Sequence, residues 1–271
     1  MIKKNSWKEE AWENLLSEIW DKRSEGVDTV EYNKSHLDPI LSKYTKSGQG
    51  EIRIFHSSSK EMNALKKRGI VKIPLSRSSW KIIKSPSRID FKEPDMGGKF
   101  NPVNQLTDGM LAGIKETMNT SSNPGETTLL AIANYTGIIA DFYSLKEIGT
   151  LFTGGRQRAG VHLIVGTNSI DMSKAQIEID GGFEWPKTIV IVEMKSSFNQ
   201  KNFDVNQALI PTLKWENLLK NKKVYSLVML AETNKTGIEY WAYNFIHDTS
   251  ESSIGMRIDK SKKYILEIKN A

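Results

Sequence analysis

The sequence predicts a mixed α/β (α+β) fold, in which helices flank a central mixed β-sheet and a small helical and β accessory region comes first. Three observations predict it: an amphipathic helix near the N-terminus, a strand-rich stretch over 161–195, and a helix followed by a β-rich end. This order of helix, β-meander, helix and strand is typical of mixed folds. With 38% hydrophobic and 26% charged residues in 271, the composition excludes a disordered chain.

The first hundred residues are predicted to alternate between short helices and short strands. Three tryptophans at helical spacing indicate an amphipathic helix over 6–23. The later predicted elements are a helix over 34–45, a strand over 51–56, a helix over 58–68, and strands over 70–75 and 79–84. Three prolines and a Gly-Gly pair make 85–104 a linker. We therefore predict an N-terminal accessory region over 1–100 and a core domain over 101–271.

A basic block marks the end of the accessory region. Residues 60–92 contain ten Lys or Arg and only two acids, whereas the whole chain carries a net charge of +6. Such a block predicts a polyanionic partner, although it is equally typical of a solvated charged face. The candidate DNA contacts in this block are Lys66, Lys67, Arg68, Arg77 and Lys81.

In the core domain, a helix is predicted to run from about 124 to 143. Asn123 suits its N-cap, Pro124 its first position and Glu126 a capping-box acid. A flexible basic loop over 153–160 then carries Arg156 and Arg158 among glycines, which would let the backbone approach a phosphate. The remaining predicted elements are strands over 161–166, 175–180 and 188–195, a helix over 203–219, and strands over 223–231, 238–246 and 263–269.

Charged residues end two of these strands. Alternation places Gln176, Glu178 and Asp180 on one face of the first strand, and it places Glu193 and Lys195 on one face of the second. Four consecutive β-branched residues precede Glu193, which indicates a buried strand. Charges there are costly unless they are paired or bound to a metal ion, and Mg²⁺ prefers carboxylate oxygens.

The spacing of Asp180, twelve residues, then Glu193-Met194-Lys195 resembles the PD-(D/E)xK nuclease motif, most closely that of type II restriction endonucleases. The resemblance implies a restriction-endonuclease-like core. It also implies that Asp180, Glu193 and the Met194 carbonyl bind the metal ion and that Lys195 is the catalytic lysine. By the same resemblance, Gln207 would face the site.

Two further acids belong to the implied site. Glu126 matches the helix acid that many members of the superfamily place near the metal ion, and Glu178 is an alternative ligand to Asp180. Ile179 stands where the motif often has proline.

The resemblance implies Mg²⁺-dependent, sequence-specific hydrolysis of double-stranded DNA that leaves 5′-phosphate ends, with Mn²⁺ able to substitute. It further implies a homodimer, a companion DNA methyltransferase and a prokaryotic cytoplasmic location. The sequence has no cysteine, which excludes thiol nucleophiles, and no stretch predicted to span a membrane.

Alternatives remain at this point. The chain could be a structure-specific repair or recombination nuclease, or a DNA-binding module without catalysis. Glu126 could simply cap a helix, Gln207 could bond backbone, and the arginine loop could be an ordinary exposed loop. A strand-end salt bridge to Lys195 would also explain the charged residues.

Overall fold

The computed structural model describes residues 7–44, 63–84, 100, 102, 124–165, 168–196, 205–234, 237–248 and 255–267. The predicted strand over 51–56, the predicted N-cap Asn123 and most of the predicted linker lie outside these residues. No helix among the described residues is both long enough and apolar enough to cross a membrane.

The N-terminal part forms a three-stranded antiparallel sheet with helices packed on it. Its elements are α1 (Trp7–Ile19), β1 (Thr29–Asn33), α2 (Lys34–Leu41), α3 (Asn63–Lys67), β2 (Ile70–Pro74) and β3 (Ser79–Lys84), and the strand order is β1-β3-β2. The tryptophan stripe of α1 is core, since Trp12 and Trp20 are buried with Trp80 of β3. Strand β1 was not predicted, because its short polar sequence becomes a strand only by pairing with β3.

The second part of the chain is built around a six-stranded mixed sheet. Its elements are α4 (Glu126–Tyr135), α5 (Ile138–Phe142), β4 (Thr150–Arg158), β5 (His162–Val165), β6 (Asn168–Asp171), β7 (Gln176–Trp185), β8 (Thr188–Lys195), α6 (Val205–Leu218), β9 (Lys223–Asn234), β10 (Gly237–Asp248) and β11 (Gly255–Glu267). The strand order is β11-β10-β9-β8-β7-β4, and β5 pairs only with β6. Neighbouring strands are antiparallel except β8 and β9, which are parallel and are joined through α6. The mixed α+β class with a sheet flanked by helices is confirmed.

Each face of the large sheet is covered by a different layer. One face packs against α4 and α5, whose Leu129 and Phe142 are fully buried. The other face packs against α6, and its core also includes Val71 and Ile73 of β2. Because β2 alternates, Ile70 meanwhile faces the N-terminal core, so this strand belongs to both cores.

Two predictions about local structure are wrong. The helix predicted to reach 143 is divided, because Gly137 adopts a left-handed conformation (φ 85°) that ends α4 before α5 begins. The predicted flexible loop over 153–160 is mostly strand, because β4 pairs with β7 through Arg158. Backbone pairing therefore outweighs the turn preference of the glycines there.

The predicted capping box at α4 is also wrong. The N-cap is Gly125, no side chain caps the helix, and Glu126 occupies the first helical position rather than the third. The carboxylate of Glu126 is instead 3.9 Å from the Nζ atom of Lys195.

Candidate active site

The candidate site lies where β7 and β8 separate. Their antiparallel ladder runs from the Trp185–Thr188 pair to the Gly181–Val192 pair and stops there. Strand β8 continues to Lys195 with only β9 as its ladder partner. Asp180 therefore lies at the point where the two strands separate, which we call the fork. The last residues of β8 form its other side.

A β-bulge shapes this fork. Gly155 of β4 pairs with Ile179 and Thr153 pairs with Gly182, so β7 has one residue more than β4 over this interval. Two residues of β7, Asp180 and Gly181, thus oppose Gly154 alone. Bulges bend a strand and change the direction of a side chain, and they often occur next to active sites. A Cβ atom on Gly181 would lie 2.7 Å from a methyl carbon of Leu130, so any larger residue there would require the Leu130 side chain to move.

Asp180, Glu193 and Lys195 meet in the fork. The carboxylate of Asp180 accepts a hydrogen bond from the Met194 amide at 2.8 Å, where a strand partner would otherwise bond. Asp180 and Glu193 also interact, because each carboxyl group shifts the pKa of the other. The Lys195 ammonium donates to Oε1 of Glu193, which is only 4% exposed. The sequence prediction that these three side chains converge agrees with this geometry.

Helix α4 brings a third acid to the fork. Glu126 is half-buried, accepts a hydrogen bond from the Ser196 backbone amide and faces Lys195. We call the set of Glu126, Asp180, Glu193 and Lys195 the Lys195 cluster. It holds three carboxyl groups and one ammonium group, so with all groups ionised it carries a net charge of −2.

Burial is the largest cause that raises the pKa of every acid in the Lys195 cluster, and a neighbouring acid adds to each shift. For Glu193, burial is the main cause, Lys195 opposes it, Asp180 adds to it, and the pKa rises to about 8. Burial likewise raises the pKa of Asp180, against the Met194 amide bond and Lys195. The pKa of Glu126 is raised for the same primary reason. One lysine therefore does not compensate for the desolvation of three acids.

For Lys195, the neighbouring charges and not burial decide the direction of the pKa shift. Burial lowers the pKa of Lys195, but the attraction of Glu193, Glu126 and Asp180 outweighs burial, and the pKa is raised overall. Lys195 is therefore a firmly protonated ammonium group.

The cluster offers hard oxygen ligands but not a complete metal cage. Among the residues that the structure describes, no three His, Asp or Glu side chains are arranged to hold a metal ion. Asp180 and Glu193 are the pair that could do so, whereas Lys195 binds Glu193 and also faces Glu126. Two carboxylates with water and phosphate oxygens are a usual Mg²⁺ environment.

The other predicted acid and the arginines lie beside the cluster on the sheet edge. Glu178 is exposed and forms an ion pair with Arg156 at 3.5 Å, directly across the β4–β7 ladder. Arg158 is exposed at the end of β4 and pairs with Gln176. The structure thus places these arginines on the strand next to Asp180, within the β4–β7 ladder instead of a loop.

Gln207 lies in the first turn of α6 and is half-buried. Its neighbour Asn206 donates to the carbonyl of Lys72, and Ala208 is buried in the core. Within the described part of the chain, the bonds of the Lys195 cluster do not include Gln207.

Acidic neighbours neutralise much of the predicted basic block. Arg68 bonds Glu13 at 2.8 Å and Asp21 at 2.7 Å, and only 18% of its side chain is exposed. Of the other candidates, Lys67 lies 3.7 Å from Glu13, Lys81 lies 3.0 Å from Glu31, Arg77 is exposed in the β2–β3 turn, and Lys66 belongs to α3. The exposed Arg77 is the member of this set best placed to meet a polyanion.

A further lysine lies near the arginines, and the sequence did not predict its contact with β4. Lys214 of α6 donates to the Gln157 side chain at 2.7 Å and to the Arg158 carbonyl at 2.8 Å. The sequence contains no signal for this contact, because the partners are 57 and 56 residues apart.

Comparison with known proteins identifies a family for this chain. Residues 104–265, more than half of the chain, match the model of a family described as a domain of unknown function, DUF6997. No curated protein and no solved structure shows a significant match.

Proposed function

We propose that this chain, which belongs to the DUF6997 family, is a metal-dependent nuclease that hydrolyses phosphodiester bonds in double-stranded DNA. Our proposal extends to sequence-specific cleavage of the type II restriction kind, with 5′-phosphate products. The single observation that carries it is the Lys195 cluster: three carboxyl groups and a protonated lysine that come together where two strands of a sheet separate.

The excess of acid in this cluster favours a functional role over a plain salt bridge. A buried ion pair needs one acid for one base, and its partners normally stabilise each other's charged forms. Here Asp180 and Glu126 add two more carboxyl groups, and the pKa of Glu193 rises to about 8. A protein gains no stability from such repulsion, and strongly perturbed acids are typical of functional sites.

The residues present suit Mg²⁺, or Mn²⁺ in its place. Asp180 and Glu193 would hold the ion, and the Met194 carbonyl on the same strand is a further hard oxygen donor. When bound, the ion supplies a Lewis acid that withdraws charge from a phosphate oxygen.

The remaining members of the cluster, Lys195 and Glu126, would act through their charges. The Lys195 ammonium would orient the attacking water or offset negative charge that develops on the phosphate. Glu126 faces Lys195 from α4 and limits where this ammonium can lie. Gln207 stays a proposed neighbour of the site, and Glu178 stays an alternative acid next to Asp180.

The sheet edge beside the cluster would contact the DNA backbone. Arg156 and Arg158 are exposed on β4, one strand away from Asp180. Phosphate contacts from such arginines would fix the position of the duplex without reading its sequence. Arg77 in the N-terminal turn would add a second contact.

Cleavage of both strands of a palindromic site requires two active sites, so we propose that the enzyme acts as a homodimer. The resemblance to restriction enzymes is also the basis for proposing a prokaryotic cytoplasmic location and a companion DNA methyltransferase.

The test is incubation of purified full-length protein with phage DNA, with Mg²⁺ or with EDTA, followed by gel electrophoresis. We expect discrete bands with Mg²⁺ and intact DNA with EDTA. The matched control is Glu193→Gln, which keeps the shape of the side chain but removes its charge, and we expect it to leave the DNA intact.

The other outcomes identify the alternatives. A smear would support a nuclease without sequence preference, and selective cutting of branched DNA would support a repair or recombination nuclease. Retarded but uncut DNA would support a binding module. Cleavage by Glu193→Gln at the wild-type rate would show that the Lys195 cluster is not the active site.

A further inference from the structure

Lys214 connects a helix to the edge strand that carries the two exposed arginines. Its ammonium donates to two acceptors on β4, the Gln157 side chain and the Arg158 backbone carbonyl. Gln157 in turn donates to the hydroxyl of Thr153 on the same strand. Next to Lys214, the ring of Trp215 packs edge-on against Phe152 of β4, with 4.9 Å between the ring centroids. Helix α6 thus contacts β4 at two places, near the beginning of the strand and at its end.

Strand β4 needs such support because its own ladder is irregular. It is an edge strand of the large sheet, so only β7 pairs with it there. Its register to β7 shifts twice, once on each side of Thr153. Gly155 has a φ of 74°, a conformation typical of glycine and not of a regular strand. Bulges and edge positions lower the number of backbone bonds that fix a strand.

We propose that Lys214 is a positioning residue that holds Arg156 and Arg158 in place to bind a nucleic-acid phosphate backbone. This inference rests on the proposed function, since it assumes that β4 faces DNA. Lys214 bonds the backbone of Arg158 itself and the side chain of the residue between the two arginines. It therefore acts on both arginines, one on each side of its attachment.

The geometry separates this role from a direct phosphate contact. Gln157 alternates with the two arginines along the strand and faces α6, on the side of the sheet opposite to their exposed side chains. A lysine that bonds Gln157 therefore approaches β4 from behind the surface that the arginines present.

The experiment is a mutant cycle on the binding of full-length protein to fluorescein-labelled duplex DNA, measured by anisotropy in EDTA so that the DNA is not cut. We expect Lys214→Met to raise Kd about tenfold, because the arginines would no longer be held in place for their contacts with phosphate. In the Arg156→Ala/Arg158→Ala background, the same change should alter Kd by less than about twofold, because residues that act as one unit are not additive. Lys214→Arg, which can bond both acceptors, should restore most of the affinity.

The matched control is Lys222→Met. Like Lys214, Lys222 bonds one side chain and one backbone carbonyl of a sheet strand, those of Glu184 and Trp185 in β7, but at the end of the sheet away from the arginines. We expect it to leave Kd unchanged, even if it lowers the melting temperature as much as Lys214→Met does.

The outcomes distinguish the two levels of the proposal. Additive effects of Lys214→Met and the arginine changes, or an equal effect of Lys222→Met, would overturn the role of Lys214 while leaving the proposed function intact. If the wild-type protein binds no duplex DNA, the proposed function fails and this inference fails with it.

Discussion

Two charged clusters in this molecule have similar members and opposite electrostatics. In the N-terminal part, Arg68 is mostly buried and bonds both Glu13 and Asp21, which are partly exposed. These bonds lower the pKa of Asp21, with the Arg68 hydrogen bond as the largest cause, and raise that of Arg68. In the Lys195 cluster, burial outweighs attraction, and the pKa of each acid is raised.

The difference shows which cluster contributes to stability. Groups that favour each other's charged forms stabilise the folded state, as the Arg68 cluster (Glu13, Asp21 and Arg68) does. Desolvated like charges oppose folding, and a protein keeps them only where surrounding structure and function require it. Removing charge should therefore have opposite consequences in the two clusters, for activity as well as for stability.

The largest expected effect is on cleavage. Asp180→Asn should reduce the rate of Mg²⁺-dependent DNA cleavage by a factor of about 10³ or more, because it removes one of the two charges that hold the ion. Its amide oxygen can still accept the Met194 bond, so the fork should stay intact. Arg68→Met should leave the rate at saturating DNA unchanged. Plasmid-nicking assays at a temperature where both variants are folded compare them, and equal losses would remove the distinction between the clusters.

The second effect is on the free energy of unfolding, and its sign should differ between the clusters. Arg68→Met should lower it by about 1–3 kcal/mol, since two acids lose hydrogen bonds to a mostly buried cation. Asp180→Asn should raise it by about 1 kcal/mol in metal-free protein at pH 8, because it relieves repulsion within the Lys195 cluster. Urea denaturation in EDTA measures both changes. A loss of stability in Asp180→Asn as large as that in Arg68→Met would mean that Asp180 is a structural partner.

The smallest effect is the pH dependence of stability. The pKa of Glu193 in the folded state, about 8, lies above its ordinary value of 4.5. The folded protein therefore binds this proton more tightly, so Glu193 contributes stability at low pH that is lost as pH rises from 4.5 towards 8. Asp21 has a lowered pKa, and its contribution is present above about pH 4 and lost in more acidic solution.

Thermal unfolding of metal-free protein across this pH range tests both signs. In Glu193→Gln the decline between pH 4.5 and 8 should become shallower, and in Asp21→Asn the loss in acid should. A Glu193→Gln profile identical to that of the wild type would show that Glu193 does not titrate in this range.

Much of the candidate site was readable from local pattern. Alternation along β7 predicted that Ile177 and Ile179 point into the core while Glu178 and Asp180 point to the other face, and the alternating burial of the strand agrees with it. The run of β-branched residues before Glu193 correctly predicted a buried strand. Such patterns are visible because each strand has a period of two residues that one face of the sheet enforces.

Local pattern failed where pairing partners are distant. The stretch 153–160 was predicted to be a loop from its glycines and arginines, but β7 makes it a strand. For Glu126 the local sequence left two alternatives open, a helix cap or an acid near the metal site, and the structure excludes the capping box and places its carboxylate 3.9 Å from Lys195, far along the chain. The arginine and lysines of the basic block looked free because Glu13, Asp21 and Glu31 lie far from them in sequence.

The sequence alone determined the class of fold, the helices and most strands, and the three residue types that meet in the fork, since these depend on periodicity and composition over short windows. The tertiary structure alone decided where β7 leaves β8, how a bulge opposite Gly154 directs Asp180 toward Met194, and which cations are already paired. These features depend on strand register and on contacts between remote segments, and neither is encoded in the spacing of neighbouring residues.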